Sequence, residues 1–417
     1  MDAAGTVSAD LEGFDRLWRR RFAEAAAAMP SLARAARPVL LGFSAFVDAS
    51  VRMERAERLF APDAPLPARD LGRELLARIR TGRGGEYSLD WPAGDEWLAA
   101  NLPHAIGAGG TSAQIAKAFG ILGAPALLAL ADRSPAQLSV LDPSILIAEG
   151  GSAHPLAAIT PDPARAKARH WIFESTAGTE VAGEIVSRST RVIVRLVDDV
   201  PENDPAFAAL SLAMARNAGA AAISSLVSTP DDLLPETLAR VADLARGWRA
   251  AGLGFVHIEL ADYGHRPHLP AMILGSLAGL VTSVGMSLSE WRVIGEGPAE
   301  PDPMAAFARR HGLTRLCVHA DDYALAVTRD DAGREARALF AGCVLAGARA
   351  AAGRPVRPED VPTEAVVSPP PAFGGSADGY VAVSCPAPWL SRPASTIGLG
   401  DTFLAGTLLV HCQPPGG

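Results

Sequence analysis

The chain carries the stretch Ser-Thr-Ile-Gly-Leu-Gly-Asp-Thr-Phe-Leu-Ala-Gly at residues 395–406, near its C-terminal end. Gly398 and Gly400 come just before Asp401, at the start of an apolar segment long enough for a helix, Phe403 to Val410. Glycines let backbone N–H groups approach an anion, and a helix start adds free N–H donors and the positive end of the helix dipole. The stretch therefore predicts either a phosphate site, in which Asp401 takes the proton of an attacking hydroxyl, or a helix that Asp401 merely caps.

The composition is that of a globular protein with a large core. The chain has 417 residues, of which 49% are hydrophobic, and at this length more than one compact unit is expected. Its formal net charge is −8, which argues against a nucleic-acid-binding protein. A local cluster of arginines and N–H groups can still bind an anionic ligand.

The cysteines, the N-terminal segment and the hydropathy all indicate a soluble, cytoplasmic protein. The cysteines lie far apart and form no Cys-x-x-Cys pair, so neither a zinc site nor a disulfide framework is expected. The run Arg19 to Arg21, followed by Glu24, does not fit a signal peptide. The longest apolar stretch, Ala271 to Met286, is shorter than a membrane span and contains Gly and Ser.

Strand and helix patterns alternate through the second half of the chain. Strand patterns are found at residues 220–226, 254–260, 279–284, 315–319, 323–328 and 379–383, and a long helix pattern at 334–351. This rhythm predicts an α/β fold with a mostly parallel, doubly wound sheet. A helix is expected over 8–29, ending before Pro30, and a buried strand over 38–43. Residues 51–103 are rich in Pro, Gly and charge and suggest a small appended subdomain.

Two segments of the first half place polar groups at expected strand ends and helix starts. Asp48 follows the predicted strand 38–43, and ligands bind at the carboxyl edge of open α/β sheets. Gly109 and Gly110 precede a helix pattern that Thr111 or Ser112 can cap. A glycine-rich helix start without any ligand is the alternative for this second segment.

Charged residues on one predicted strand could face a ligand. Arg191 and Arg195 share one side of the pattern at 191–197, because successive strand side chains alternate between the two faces. The alternative is a solvated edge strand, where charges are common.

Three further polar groups follow strands of the second half. His257 and Glu259 point the same way from the end of an apolar strand and could order a metal or its waters. Glu290 opens a helix after the next strand and could hold Mg²⁺ through water. The alternative for Glu290 is a first-turn acid that complements the helix dipole.

An acidic turn joins two predicted strands at residues 319–323. Either His319 and Tyr323 only pack at this hairpin, or they form a wall beside a nucleotide, with Tyr323 offering an aromatic surface.

Taken together, these segments resemble the ADP-dependent glucokinase and phosphofructokinase family, a branch of the ribokinase-like sugar kinases. The similar motifs occur in order along the chain and comprise Gly42 to Asp48, Gly109-Gly110 with the helix after it, His170 to Glu174, Arg191 to Ile193, His257 to Ala261, Ser283 to Glu290, Val318 to Tyr323 and Thr396 to Asp401. The last of these matches the family's Thr-Val-Gly-Leu-Gly-Asp motif at nearly every position.

The resemblance implies a two-part architecture. Residues 1–50, 104–149 and 198–417 would form a ribokinase-like, three-layer α/β/α nucleotide-binding domain. Residues 51–103 and 150–197 would form a small β-rich lid subdomain that closes over the sugar and excludes water.

The resemblance also implies roles for individual residues. Asp401 would be the base, and the amides of Gly398, Leu399 and Gly400 would form the anion hole. Mg²⁺ would be organised by Glu259, Glu290 and Asp401. The sugar would be held by Asp48, Glu86, Gly109, Gly110, Thr111, His170 and Arg191. The nucleotide would be bound by His319, Tyr323 and Thr396.

The implied reaction is transfer of the β-phosphoryl group of ADP to a sugar hydroxyl, giving AMP and a sugar phosphate, in a monomer or small homo-oligomer. The acceptor would be glucose or fructose 6-phosphate. A phosphorylated acceptor needs cations such as Arg191 and Arg195 for charge-assisted hydrogen bonds. Glu86 would oppose a phosphate and hold a glucose hydroxyl instead, which favours an uncharged sugar.

The chain departs from the family's pattern at five positions on the sugar or metal side. The family's Asn, Arg, Gln, Asn and Thr are replaced here by Ser44, Gly107, Thr111, Ser287 and Ala320. Two alternatives therefore stay open. One is an ATP-dependent ribokinase-like sugar or nucleoside kinase, and the other is a non-catalytic relative that binds a sugar or nucleotide.

Overall fold

Two β-sheets organise the protein. The computed structural model describes residues 3–197, 201–224, 226–264, 266–371 and 373–414. Within these residues the backbone forms one sheet of eleven strands, one of five and a separate two-stranded hairpin. The strands are β1 (Val39–Gly42), β2 (Phe46–Arg52), β3 (Gly85–Ser88), β4 (Ala105–Gly109), β5 (Ala126–Leu128), β6 (Leu146–Glu149), β7 (Ser152–Pro155), β8 (His170–Ser175), β9 (Glu180–Val181), β10 (Glu184–Ile185), β11 (Thr190–Arg195), β12 (Ala220–Ile223), β13 (Val256–Glu259), β14 (Ser283–Ser287), β15 (Arg315–His319), β16 (Tyr323–Thr328), β17 (Ser376–Ala377) and β18 (Tyr380–Pro386).

Helices connect most of these strands. In chain order they are α1 (Ala3–Ala35), α2 (Leu66–Thr81), α3 (Gly94–Asn101), α4 (Thr111–Leu122), α5 (Pro135–Ser139), α6 (Pro205–Met214), α7 (Leu234–Ala250), α8 (Leu269–Ser276), α9 (Leu288–Ile294), α10 (Pro301–Arg310), α11 (Ala332–Ala352) and α12 (Leu399–His411). None of the described helices has the length and apolarity that a membrane crossing requires.

The large sheet is parallel through its centre. Its strand order is β17-β18-β16-β15-β14-β13-β12-β1-β5-β6-β7. The neighbours from β15 to β6 run parallel, whereas β16, β18, β17 and β7 pair antiparallel at the two edges. The prediction of a mostly parallel α/β sheet is therefore confirmed.

Helices cover both faces of this sheet because its strands are apolar on both sides. In β1, Val39 and Leu41 join one core with α4, α11 and α12, while Leu40 joins a second core with α7 and α8. Helix α1 packs Met29 and Ala33 into the first core and continues through Pro30 to Ala35, beyond its expected end. Tertiary packing on both sides of the proline offsets the lost hydrogen bond there.

The small sheet, called the lid sheet here, has the order β3-β11-β8-β2-β4. Helices α2 and α3 pack against it and share a core that includes Leu71, Trp91 and Trp171. Residues 51–103 are thus largely helical, whereas the resemblance implied a β-rich subdomain.

The boundaries of the two predicted lid segments differ from those of the strands that form the lid sheet. Strands β2 and β4 belong to the lid sheet although they extend outside residues 51–103. Strand β7 pairs with β6 in the large sheet although it falls inside the predicted segment 150–197. Asp48 follows β1 along the chain, as expected, but it lies within a second strand, β2, where it pairs with Gly107 and His170. The reason is that the chain leaves β1 after Gly42 and immediately enters another strand.

Candidate active site

The stretch at 395–406 forms a tight turn followed by α12. Gly398 is the N-cap of α12 and has φ +64°, a conformation that favours glycine. Asp401 is the third residue of the helix, so it does not occupy the capping position. The turn therefore leaves its N–H groups at the helix start for an anion, with the Asp401 carboxylate one residue beyond Gly400.

Several charged groups converge on Asp401. Burial raises the pKa of this carboxyl, and the positive charge of Arg349, the Thr111 hydroxyl and Arg191 act in the opposite direction. Glu259 adds a second negative charge nearby. A carboxylate with a raised pKa in a buried cleft is suited to accept a proton.

Asp48, on the lid sheet, lies close enough to Asp401 for their negative charges to interact. Burial raises its pKa to about 6, with the negative charge of Asp401 adding to the effect and His170 opposing it. His170 Nδ1 lies 4.0 Å from Asp48 Oδ1, and its ring stacks on Phe46 at 4.3 Å between centroids. A side chain at Gly109 would place its Cβ 2.0 Å from Asp48 Oδ1, so this glycine gives the carboxylate its space.

The glycine pair at 109–110 is followed by a helix without a side-chain cap. Gly110 is the N-cap of α4, and Thr111, the first residue of this helix, reaches Asp401 instead. The expectation that Thr111 caps the helix is wrong for this reason. The shorter side chain that replaces the family's Gln still contacts the candidate base.

Ser44, which stands where the family has Asn, does not line the cleft. Its side chain is fully buried, and its Oγ lies 2.6 Å from Ser224 Oγ and accepts the Ser112 N–H at 3.0 Å. Ser112 Oγ in turn donates to the Gly42 carbonyl at 2.7 Å. Ser44 thus joins β1 to the start of α4.

Glu259, at the end of β13, is held between two histidines. His257 Nε2 lies 2.9 Å from one carboxylate oxygen and His319 Nε2 lies 3.2 Å from the other. Burial acts to raise the pKa of Glu259, but the two hydrogen bonds outweigh it and lower the pKa to about 2. The carboxylate is therefore ionised across the physiological range.

A buried hydrogen-bond chain leads from His257 into the core. His257 Nδ1 lies 2.8 Å from Ser283 Oγ, and Arg315 donates to the same oxygen at 3.1 Å. Arg315 also donates from Nε to both oxygens of Glu335 at 2.9 Å. Burial lowers the pKa of His257, so its ring is neutral. Because the ionised Glu259 carboxylate can only accept, the ring donates its Nε2–H to Glu259, and Nδ1 accepts from the Ser283 hydroxyl.

Glu290 forms the capping box that its position allowed. Its carboxylate accepts the Ser287 N–H at 2.6 Å, and the Glu290 N–H donates to Ser287 Oγ at 3.2 Å. Burial raises its pKa to about 6, and the charge of Glu259 adds to this effect. Glu290 therefore caps α9 and stands within electrostatic reach of Glu259, so the predicted metal role and the capping role are compatible.

The acidic groups fit a hydrated magnesium ion better than a directly coordinated metal. Among the described residues no three His, Cys, Asp or Glu side chains are arranged to hold a metal ion. Both Glu259 oxygens and one Glu290 oxygen already accept hydrogen bonds. Mg²⁺ commonly keeps several waters and binds one or two carboxylates together with substrate phosphates, which suits this pair.

Glu86 and Arg195 neutralise each other in the lid sheet. Arg195, which is buried, donates to the Glu86 carboxylate. Arg191 instead faces the cleft, where its charge acts on both Asp48 and Asp401. Arg195 is thus not free for a phosphate, and Glu86 is not an isolated negative charge.

The predicted nucleotide residues separate in space. His319 contacts Glu259 and lies against Gly400 and Phe403 at the start of α12. Tyr323 is half-buried at the start of β16, where burial and Asp322 raise its pKa. Thr396 is half-buried in the turn before Gly398. Of these three, His319 packs against the start of α12 and Thr396 belongs to the turn before it, and the roles of all three stay predictions.

Sequence reasoning missed Arg349, which lies on α11 beneath the turn. Its guanidinium donates from Nη1 to Gln114 Oε1 and to Thr402 Oγ1, both at 2.9 Å. The signal was present, because Arg349 interrupts an otherwise small and apolar stretch of residues 338–352. A charge in such a stretch is costly unless something satisfies it.

Comparison with solved structures gives the fold a known relative. An ADP-dependent kinase in complex with fructose-6-phosphate and ADPβS matches at 17% identity and TM-score 0.73, over 96% of this chain and 99% of that one. A phosphofructokinase from Pyrococcus horikoshii OT3 with AMP matches at 18% identity and TM-score 0.69, over 90% and 98%. The last common ancestor of ADP-dependent phosphofructokinases from Methanosarcinales matches at 16% identity and TM-score 0.66, over 95% and 98%.

More distant kinases share the fold as well. The adenosine kinase from Sinorhizobium meliloti matches at 14% identity and TM-score 0.54. No protein-family model matches the chain, and no curated protein does. The chain thus shares the α/β fold of these kinases, as the motif resemblance implied.

Proposed function

We propose that the protein is an ADP-dependent sugar kinase, which transfers the β-phosphoryl group of ADP to a sugar hydroxyl and releases AMP. The observation that carries the proposal is the position of Asp401, in the first turn of α12 directly after the Gly398–Gly400 turn, in one cleft with Asp48. The choice of ADP over ATP is supported by the shared fold with ADP-dependent kinases and by the ordered motifs.

In the proposed reaction Asp401 accepts the proton of the sugar hydroxyl. The hydroxyl oxygen forms a bond to the β-phosphorus of ADP, and the bond from that phosphorus to the α–β bridging oxygen breaks, which leaves AMP. The N–H groups at Gly398 to Gly400 stabilise the charge on the transferred oxygens. Mg²⁺ bound with the nucleotide would offset phosphate charge, and Glu259 and Glu290 would hold its waters.

The lid sheet supplies the other side of the cleft. Asp48 and His170 come from β2 and β8, so a sugar between them and Asp401 would be enclosed by both sheets. Enclosure would keep water away from the phosphoryl donor, because water is a competing acceptor.

The acceptor is proposed as a sugar whose hydroxyls are held by Asp48 and His170, with glucose and fructose 6-phosphate as the two candidates. The pairing of Glu86 with Arg195 weakens the argument that Glu86 repels a phosphate. Arg191 remains as a cation that faces the cleft. Arg191→Met is therefore expected to raise KM strongly for fructose 6-phosphate and little for glucose. The ratio of the variant's KM to the wild-type KM for each sugar then identifies the acceptor.

The direct test is a screen of sugars with ADP and Mg²⁺ that reads AMP release, run in parallel with ATP. AMP formed only with ADP supports the proposal, and turnover only with ATP supports the ribokinase-like alternative. Asp401→Asn is expected to abolish transfer while the fold and ADP affinity are retained. Asp243→Asn, at a surface ion pair with Arg246, is a matched control that keeps full activity. Full activity in Asp401→Asn would show that the proposed base is wrong.

A non-catalytic sugar- or nucleotide-binding protein remains the second candidate, motivated by Gly107, Thr111 and Ser287. The contacts of Thr111 and Ser287 with Asp401 and Glu290 weaken it, because both substituted residues still serve the cleft. Thermal stabilisation by ADP without turnover of any sugar would favour it.

A further inference from the structure

Arg349 lies so close to the Gly398 turn that a side chain at residue 398 would clash with its guanidinium. A Cβ built on Gly398 would lie 2.4 Å from Arg349 Nη2 and 2.6 Å from its Cζ. Only a glycine leaves room for the guanidinium at this point, in addition to supplying the positive φ. Arg349 can therefore pack against the turn only because residue 398 is a glycine.

The hydrogen bonds of Arg349 do not neutralise its charge. The acceptors of these bonds, Gln114 Oε1 and Thr402 Oγ1, are neutral, and within the described residues no carboxylate forms a direct ion pair with the guanidinium. Its Nε is buried without a hydrogen-bond partner. By contrast, the buried Arg315 has both oxygens of Glu335 at 2.9 Å, as expected of an arginine that serves the core.

The positive charge of Arg349 lies near the two carboxylates of the candidate site. The negative charges that act on Arg349 are those of Asp401 and Asp48. The negative charge of Asp401 also raises the pKa of Asp48, so the two carboxylates repel each other. An anion could not enter between them without a cation close by.

We propose that Arg349 is a positioning residue of the anion site at the start of α12, where it fixes the Gly398 turn and offsets the charges of Asp48 and Asp401 so that a phosphoryl group can bind. This inference rests on the proposed function for its kinetic consequence only. The binding of a phosphate anion at the turn follows from the geometry itself.

The kinetic test compares Arg349→Met with Arg349→Lys. The methionine variant keeps the aliphatic volume and is expected to lose about 100-fold in kcat, the scale of removing one donor from an oxyanion site, with sugar KM changed about threefold or less. The lysine variant keeps the charge and is expected to recover about tenfold. Arg133→Met, which removes a buried arginine that bonds Glu149 and the Ala148 carbonyl, is the matched control and should retain kcat.

Chemical rescue separates a charge role from packing. Arg349→Ala opens space for a small cation, so millimolar guanidinium is expected to restore about tenfold of the lost kcat, whereas it should not help Arg133→Ala. A loss of activity that neither lysine nor guanidinium relieves would assign Arg349 to packing and overturn the proposal.

Binding of inorganic phosphate, measured by calorimetry, distinguishes this inference from the proposed function. The wild type is expected to bind phosphate, and Arg349→Met to bind it about tenfold more weakly. If the wild type turns over no sugar but shows this difference, the proposed function fails and the assignment of Arg349 stands. If phosphate affinity is the same in both proteins, or the wild type does not bind phosphate, the assignment is wrong.

Discussion

Ser395 Oγ donates a hydrogen bond of 2.9 Å to Glu174 Oε1. This bond joins the lid sheet to the segment just before the Gly398 turn. Glu174 lies in β8 and is buried, and Arg52 from the neighbouring strand β2 donates to the Ala394 carbonyl at 2.8 Å. Two adjacent residues of the segment before α12 are therefore held by two adjacent strands of the lid sheet. These two hydrogen bonds therefore attach the lid sheet to the segment that leads into the Gly398 turn.

Ser395→Ala should impair transfer more than it impairs folding. Without the hydroxyl, the contact to Glu174 is lost on a partly exposed segment, so the free energy of unfolding should fall by about 1 kcal/mol. Because the lid is then held less firmly against the turn, kcat/KM for the sugar should fall about tenfold. Steady-state kinetics and urea denaturation of the same preparation measure the two effects.

Ser139→Ala is the control for this change, because its hydroxyl donates to the Ala136 carbonyl on an exposed helix end. It should leave kcat/KM unaltered. Equal kinetics for Ser395→Ala and Ser139→Ala would show that the lid contact does not matter for catalysis.

Asp48 should make the protein less stable as pH rises. Its pKa is raised by burial to about 6 in the folded state from 3.8 for the free side chain, so the native protein binds a proton that the unfolded chain has released. Stability is therefore unaffected below about pH 4, falls between about pH 4 and 6, and stays reduced above. The loss is at most about 3 kcal/mol for a shift of about two units.

Asp48→Asn removes this cost, because the amide does not ionise. Urea denaturation at pH 7.5 and at pH 4.5 should show the variant gaining stability over the wild type mainly at the higher pH. Activity should be lost at both pH values if Asp48 holds the sugar. A stability difference that does not change with pH would contradict the raised pKa.

The sequence predicted the fold well because its signals are local. Strands 315–319 and 323–328 match the structure at both ends, and the glycine turn before α12 was located by its residues alone. The strand β2 that contains Asp48 was missed because it follows β1 after a gap of only three residues, which the apolar pattern does not resolve.

The site was only partly predictable, for a physical reason. Paired contacts such as Glu86 with Arg195 or Arg349 with Thr402 join residues more than 50 positions apart, and no local pattern encodes them. The same holds for Ser44, which looked like a lost ligand contact and proved to be a buried hydrogen-bonding residue. An isolated charge in an apolar helix was one further usable signal, and it would have found Arg349.

The buried ion pair between Arg315 and Glu335 should be sensitive to loss of one partner. Glu335→Gln leaves a buried guanidinium without its counter-charge, so the free energy of unfolding should fall by about 3–5 kcal/mol in urea denaturation. The double variant Arg315→Met with Glu335→Leu should recover much of this. If the single and double variants are equally destabilised, lost packing and not the unpaired charge is the cause.

The capping role and the proposed metal role of Glu290 can be tested separately. Glutamine at this position keeps the carbonyl oxygen that accepts the Ser287 N–H, so Glu290→Gln retains the capping box while it removes the charge. Since burial raises the pKa of Glu290 to about 6, the neutral amide should leave the free energy of unfolding at pH 8 unchanged or higher. Glu290→Ala loses the cap as well, at a cost of about 1 kcal/mol.

If Glu290 holds water on Mg²⁺, both variants should need about tenfold more Mg²⁺ for half-maximal activity. If Glu290→Gln has the Mg²⁺ dependence of the wild type and only Glu290→Ala is impaired, Glu290 serves the helix alone, because the charge would then be irrelevant and the cap would account for the whole effect.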